Sequence, residues 1–406
     1  MTVLDELIQE LCPEGVAYKT LGEIATDVFR GAGITRDQVR ETGTPCVRYG
    51  EIYTTYGVWF EDCVSHTDET LLTSKKYFDY GDILFAITGE SVEDIAKCCA
   101  YIGHETCLAG GDIVVLKHNE DPQYLSYALS TLDAQKQKSK GKVKSKVVHS
   151  SVPDIKAIRV PVPPLPVQRE IVRILDNFTE LTAELTAELT VRKKQYAYYR
   201  DKLLTHSSET KICKLADVCE SIADGDHMPP PKADDGIPFI TISNITEQNK
   251  INFSNTMFVP SSYYDALADK RKPHSGDILY TVVGSYGIPV CIEQDTKFVF
   301  QRHIAILRPR SEVIKARYMF HAMQSGAFKA QADKAAKGAA QKTIGLSSLA
   351  EMTLPVPDMC IQERLIRVLD RFDTLCTDLS SGLPAEIEAR QKQYEYYRDK
   401  LLEFEK

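Results

Sequence analysis

Six lysines, Lys136, Lys138, Lys140, Lys142, Lys144 and Lys146, occupy alternate positions with no acid among them. An extended segment would set all six on one side, whereas a helix would spread them around its axis. Gly141, inside the run, also argues for a loop or strand. A cationic row of this kind suits the phosphates of double-stranded DNA, which it would position without reading sequence. A solvated loop has the same composition, and the residues alone leave both readings open. A second basic stretch, Lys329, Lys334, Lys337 and Lys342, contains Gln341, whose amide is equipped to meet a base edge. Further candidate contacts are Arg30, Arg36, Arg48, Lys232, Lys270, Arg271 and Arg302.

Residues suited to covalent or acid–base chemistry lack company. Asp82 and Asp277 each follow a glycine in Gly-Asp-Ile-Leu and read as turn residues, since no base or metal ligand accompanies either. No Asn-Pro-Pro-Tyr or Asn-Pro-Pro-Phe run is present to grip a flipped adenine; proline clusters only at His227-Met228-Pro229-Pro230-Pro231. There is no G-x-x-x-x-G-K-[ST] loop for nucleotide phosphates. Pro153-Asp154 lacks the acid-x-Lys of a metal-dependent nuclease, and the scattered histidines, such as His303 beside Arg302, show no triad-like grouping. The eleven cysteines form no C-x-x-C pair and meet no histidine pair at finger spacing. They read as reduced thiols used as small apolar residues, and no metal site is expected.

The elements that must position these groups follow from length and repetition. A chain of 406 residues is long for one core, so two domains are expected. Hydrophobic content of 43% and charged content of 26% are ordinary for a soluble protein. No apolar run reaches membrane-spanning length, and MTVLDELIQELCPEG lacks the pattern of a secretory signal, which predicts a cytoplasmic protein. The net charge of −8 argues against coating nucleic acid by bulk attraction. It leaves room for a local basic groove, because screening limits each charge to about 8–10 Å.

Residues 194–204, KQYAYYRDKLL, return as KQYEYYRDKLL at 392–402. Pro161-Val162-Pro163 returns as Pro355-Val356-Pro357, and Gln168, Arg173, Leu175, Asp176 and Phe178 return as Gln362, Arg367, Leu369, Asp370 and Phe372. The chain is therefore a duplication with a period of roughly 195 residues, the size of a domain plus a helix rather than a solenoid repeat. Between the repeated segments the halves keep a skeleton: Leu21-Gly22-Glu23-Ile24 against Leu215-Ala216-Asp217-Val218, and the two Gly-Asp-Ile-Leu turns followed by Gly89 or Gly284. Short apolar runs (Ile113 to Leu116, Phe239 to Ile242, Ile304 to Leu307) alternate with helical stretches (Tyr124 to Ser130, Ala316 to Gln324), which predicts a mixed α/β block in each half.

The repeated segments are predicted helices. Apolar residues fall at Ile171, Ile174, Phe178, Leu181 and Leu185, then at Leu189, Tyr196, Tyr199 and Leu203, a heptad seam with one stutter. The second copy has Leu365, Val368, Phe372, Leu375 and Leu379, then breaks at Ser380-Ser381-Gly382-Leu383-Pro384, where glycine stops one helix and proline suits the start of another. Each helix finds its simplest partner in the other. The expected fold is α/β (mixed α+β). Two globular domains, 1–158 and 207–352, are separated by antiparallel coiled-coil helical regions, 159–206 and 353–406, as a pseudo-twofold internal repeat.

PVPPLPVQREIVRILDNF with the first KQYxYYRDKLL resembles the first conserved region of type I restriction-modification specificity subunits, and PVPDMCIQERLIRVLDRF with the second resembles the other. Between them, Thr182-Ala183-Glu184-Leu185 and Thr186-Ala187-Glu188-Leu189 resemble the tetrapeptide spacer of the type IC branch. The resemblance spans the chain and is most specific in the helices. It implies a non-catalytic DNA-recognition subunit whose two target-recognition domains each read half of a bipartite asymmetric site, with the helices setting the spacing. It also implies two methyltransferase subunits and motor-nuclease subunits as partners, which would carry S-adenosylmethionine, ATP and magnesium. Gln168, Tyr196, Tyr199, Arg200, Gln362, Tyr394, Tyr397 and Arg398 would form the helical scaffold and docking surface, the tyrosines serving as coiled-coil core or as partner contacts. Two other readings are a DNA-targeting adaptor of a methylation-based defence system without restriction and a stand-alone enzyme with an unfamiliar site.

Overall fold

Apolar runs such as Ile113-Val114-Val115-Leu116 belong to sheets that are covered on both faces. The structure, a computed structural model, describes all residues except 1, 93, 140–141, 145–146, 206–209, 226–228, 247, 340, 379–380 and 405–406. It divides into one unit of Met1–Glu184 with Glu388–Lys406 and a second of Leu185–Ile387. The helical regions 159–206 and 353–406 are thus shared out between the units.

In the first unit Ile113–His118 pairs antiparallel with Ala25–Arg30 and with Ile83–Ala86, and Ile83–Ala86 pairs antiparallel with Cys98–Tyr101. Alternate side chains enter two cores. Ile83, Phe85, Val114 and Leu116 pack with Tyr124, Leu125 and Ala128 of helix α1 (Pro122–Leu129), while Leu84, Ala86, Ile113 and Val115 pack with Tyr101 of their own sheet and with Val47 and Phe78 of a second sheet. A short helix α2 (Leu132–Lys138) follows, and then the long helix α3 (Leu165–Leu204). The second unit repeats the plan. Cys219–Asp224, Ile304–Pro309, Ile278–Thr281 and Pro289–Cys291 form an antiparallel sheet. Its faces are covered by α4 (Ala316–Met323) on one side and by Phe298 and Phe300 on the other. Helices α5 (Gly326–Ala335), α6 (Met359–Thr377) and α7 (Leu383–Leu401) complete the chain.

Both Gly-Asp-Ile-Leu segments are turns. Gly81 and Gly276 take φ of 92° and 90°, where a Cβ would be strained. Asp82 accepts from the Asp79 amide at 2.9 Å and pairs with Lys117; Asp277 accepts from the His274 amide at 3.0 Å and pairs with Arg308.

The lysine row divides. Thr131 caps α2 by accepting from the Ala134 amide, so Lys136 and Lys138 are helical rather than part of one extended segment. Lys136 is exposed. Lys138 is buried, with its Nζ donating to the Leu129 carbonyl at the end of α1 at 2.6 Å. Lys142 and Lys144 lie in a strand, Lys142–Lys144, paired with Val147–His149. Lys140 and Lys146 lie outside the described residues. A row on one side therefore does not extend to Lys136 and Lys138, because the C-terminal carbonyls of α1 capture Lys138.

Each globular block is tied to its following helix by one glutamine. Gln168, fully buried, accepts from the Asp121 amide at 2.9 Å and donates to the Pro163 carbonyl and the Glu120 carboxylate, both at 2.7 Å. One repeat later Gln362, also fully buried, accepts from the Lys315 amide at 2.9 Å and donates to Pro357 and Val313 carbonyls at 2.8 and 3.1 Å. Tyr124 and Tyr318 reinforce the joints through the Pro161 and Pro355 carbonyls.

In the second unit Phe372 of α6 stacks on Tyr196 and Tyr199 of α3, with centroids 6.1 and 6.0 Å apart. Cys376, one turn on, feels the charges of Lys193 and Arg192, one turn back on α3, so the two helices run antiparallel there. The first unit has the matching pair, Phe178 of α3 on Tyr397 of α7 at 5.5 Å, and Leu402 joins Val167, Ile171 and Leu175 in the core. The seam ends on Leu204 rather than Leu203, which is exposed, because steps of four from Tyr196 keep to the buried face. In the second copy Gly382 permits the break: a Cβ there would meet the Thr374 carbonyl at 2.5 Å.

Replacing Gln362 by Leu leaves the Lys315 amide and the Val313 and Pro357 carbonyls without partners. The expected loss is about 3 kcal/mol in urea unfolding; a change near zero would contradict the clamp.

Candidate nucleic-acid interface

The later part of each basic stretch falls on an equivalent hairpin, whereas Lys329 and Lys334 lie in helix α5, as Lys136 and Lys138 lie in α2. In the first unit, Lys142–Lys144 and Val147–His149 form a hairpin whose second strand pairs with Thr88–Gly89, just beyond the Gly-Asp-Ile-Leu strand. In the second, Lys337 and Thr343 exchange backbone hydrogen bonds of 2.9 and 2.8 Å, and the Gly284 amide donates to the Lys342 carbonyl at 3.0 Å. Gly338, at φ 121°, supplies the turn.

Each unit carries a cleft lined by the loop that leads into its central strand, Gly110–Asp112 in the first and Arg302 and His303 in the second. In the first, a cavity of about 510 Å³ is lined by Arg36, Arg48, Tyr49 and Gly110–Asp112. Arg36 is exposed, and among the described residues it has no ion-pair partner. Arg48 pairs with the buried Glu51 at 3.1 Å, and Arg30 with Asp112 at 2.5 Å, so both guanidiniums already serve the fold. In the second unit Arg302, His303, Gln341 and Asp224 line a cavity of about 350 Å³, and Arg302 borders another of about 320 Å³ with Lys232. Arg271 is held by Asp224 at 3.4 Å. Lys232, Lys270, Arg302, Lys329, Lys334, Lys337, Gln341 and Lys342 are all exposed. Burial and the neighbouring Arg302 hold the His303 imidazole below its usual range, which keeps it neutral at pH 7. Such an arrangement can donate to phosphates and base edges. Among the described residues no group of three or more His, Cys, Asp or Glu side chains is placed to hold a metal.

The scaffold residues separate into interior and surface. Gln168 and Gln362 are interior, with their amides committed to the joints, so they hold the scaffold and offer nothing to a partner. Tyr196 is buried, Tyr394 partly so, and Tyr199 and Tyr397 are exposed on one edge. Arg200 lies over the Tyr196 ring at 5.2 Å, and Arg398 over Tyr394 at 5.7 Å. The outermost aromatics, Tyr198 at 62% exposure and Tyr396 at 61%, escaped the sequence reading. Helical spacing carried the signal, since two residues from an inward tyrosine is about 200° around the axis. Lys202 and Lys400 sit over these rings at 5.9 and 5.8 Å.

A buried network also went unseen. Tyr196 Oη meets His321 Nδ1 at 3.0 Å, His321 Nε2 meets Asp370 at 2.7 Å, and Arg317 bridges Asp370 and Asp373 at 2.7 and 2.6 Å. Its order resembles a catalytic triad, yet His321 is fully buried and Tyr196 nearly so, which leaves no room for a substrate. Burial pushes the Tyr196 phenol up and the His321 imidazole down, so neither ionises near neutrality. Burial also pulls the Asp370 carboxyl up, but hydrogen bonds from His321 and Arg317 outweigh it and hold the group below its usual range. The first unit has Tyr127 in place of His321, donating to Asp176 at 2.6 Å.

The family model for the type I restriction modification DNA specificity domain matches residues 13–191 and again 207–389. A putative type I restriction enzyme specificity subunit of Haemophilus influenzae is 31% identical over 277 residues, 65% of this chain and 68% of that protein. The EcoR124I/EcoR124II specificity subunit of Escherichia coli is 34% identical over 279 residues, 62% of this chain and 64% of that one. The aligned stretch thus spans about two thirds of these curated relatives. A type I system S subunit from M. genitalium superposes with a TM-score of 0.51 at 14% identity, covering 95% of this chain and 96% of that one. A chain from a type I complex-assembly structure gives a TM-score of 0.62 at 17% identity, with 96% and 98% covered. These two establish the shared fold.

The His321 pKa is lowered on folding, so between the folded and unfolded values only the unfolded chain takes up the proton. This contribution to stability is complete above the unfolded value of about 6.5 and is lost as pH falls. A His321→Gln variant is therefore expected to show a shallower loss of melting temperature between pH 7 and pH 5 than the unaltered chain; superimposable profiles would contradict this.

Proposed function

The chain belongs to the type I restriction-modification DNA specificity family, and from that membership we propose that it is the sequence-reading subunit of a type I restriction-modification enzyme and contributes no chemistry of its own. Each unit reads one half of a bipartite asymmetric site in double-stranded DNA. Two methyltransferase subunits bring S-adenosylmethionine for adenine methylation, and motor-nuclease subunits bring ATP and magnesium for cleavage. The complex works in the cytoplasm, and among the described residues no helix is long and apolar enough to cross a membrane. One observation supports the reading: both units mount a basic hairpin at the same place in the fold, and in the second unit that hairpin lines a cleft bearing polar side chains. Lys337 and Lys342, and Lys142 and Lys144 in the first unit, would contact phosphates; Lys232, Arg36, Arg302 and Gln341 stand nearer the clefts. Arg30, Arg48, Arg271 and Lys138 are weaker candidates, because each already holds an internal partner. For the methyltransferase subunits, Tyr198 and Tyr396 offer large amphipathic surface at matching places in the two copies, the kind of residue that anchors interfaces.

The tetrapeptide repeat acts as the ruler. The division between the units falls between Glu184 and Leu185, inside the Thr-Ala-Glu-Leu pair, and α3 runs unbroken through it. Good helix formers with a leucine every fourth residue allow another copy to extend the helix. Four residues add about 6 Å and turn the far end about 40° beyond a full turn. One base pair of B-DNA turns about 35° and rises about 3.4 Å. Rotation matches one pair, and a tilt of helix against DNA shortens the projected length to suit. Inserting Thr-Ala-Glu-Leu after Leu189 is therefore expected to lengthen the unread spacer by one base pair with both half-sites intact, and deleting Thr186–Leu189 to shorten it by one. Genome-wide methylation mapping checks both, and an unchanged spacer would contradict the ruler.

A further inference from the structure

Among the candidate contacts, Gln341 differs in chemistry from the rest. An uncharged amide gains little from a phosphate, but its adjacent donor and acceptor match the paired acceptor and donor on the major-groove edge of adenine. Its side chain is exposed, and among the described residues it has no hydrogen-bond partner. The backbone that carries it is held on both sides. Lys337 and Thr343 are bonded to each other, Lys342 accepts from Gly284, and the Ile344 amide donates to the Val282 carbonyl at 2.8 Å. Gly284, at φ 72°, makes the close approach possible: a Cβ there would lie 3.3 Å from the Gln341 amide nitrogen. Arg302 shares the cleft, is exposed, and has no ion-pair partner among the described residues. Among the described residues that line the cleft the one carboxylate, Asp224, pairs with Arg271. An unpaired amide on a hydrogen-bonded backbone, beside an available guanidinium, is the donor–acceptor set that distinguishes purines.

We infer that this cleft of the second unit is a base-reading site, in which Gln341 reads an adenine and Arg302 a neighbouring guanine of one half-site. The inference rests on the DNA-reading function proposed above and adds the residues that set specificity. Gln341 is placed to choose between bases, whereas the flanking lysines hold the backbone of any sequence.

The test co-expresses the chain with its methyltransferase subunits in a host without other adenine methylation and maps methylated adenines across the genome. For Gln341→Ala, one adenine position in one half-site is expected to lose discrimination by roughly 10- to 100-fold, the size of one paired contact. The other half-site and the spacer stay as they were. Gln341→Glu, which only accepts, should move the preference at that position toward cytosine, and Arg302→Ala should relax a guanine beside it. Melting temperatures should be unchanged, since both side chains are exposed. A motif that survives unaltered in all three variants would overturn the inference. So would an equal loss of methylation at every site, which is how a phosphate contact behaves. An unaltered complex that methylates no bipartite sequence would instead overturn the underlying reading, and this inference with it.

Discussion

Gln168 and Gln362 each commit a whole buried amide to the junction between a sheet-based block and the helix that follows it. The carbonyl oxygen takes the amide at the start of α1 or α4, and the nitrogen ties down the proline-rich strand leading into α3 or α6. A rotation of the block about its helix would strand several buried polar groups, each worth about 1–3 kcal/mol. Gln168 thus fixes the first block to the start of α3, and Gln362 fixes the second to the start of α6. A block fixed to its helix is what the proposed ruler requires for a four-residue insertion to act as a measured displacement. It also explains why the joint is duplicated so faithfully when the surfaces beyond it are not.

The copies differ both at the surface and in the buried interior. At the end of the edge strand the first unit has Arg30, paired with Asp112 across the sheet; the second has Asp224, paired with Arg271. Arg30 stands opposite Val114 and Asp224 opposite Ala305 in equivalent ladders, so the backbone presents opposite charges at one position. Surfaces that differ in charge on frames that agree are what the proposed reading of an asymmetric site requires. The buried polar networks vary too, with Tyr127 donating to Asp176 in one unit and His321 bridging Tyr196 and Asp370 in the other. Both satisfy the aspartate, which is the condition a buried carboxylate imposes.

Much of this was legible in the sequence. The duplicated motifs predicted the helices, the break at Gly382 and the two blocks, because periodicity and turn chemistry act locally. The lysine row was legible only in part. Alternation reports local geometry, but Lys138 answers to the Leu129 carbonyl, and a threonine cap made its segment helical. The Tyr196, His321 and Asp370 network joins three elements far apart in the chain, and no local pattern announces it. Gln341 was visible as a residue able to read a base, but its mounting on Gly284 and its company with Arg302 depend on the fold.

The central claim is that the two blocks are interchangeable readers on one frame. The most direct test replaces residues 21–160 by a second copy of residues 215–354. The exchange is compatible at the joint, because Asp176 and Tyr394 offer the incoming α4 the residue types that Asp370 and Tyr196 offer it in its own place. Methylation mapping of the complex containing this chain should return a site made of one half-site twice, the one read by the second unit. A site that still contains two different half-sites would contradict the account.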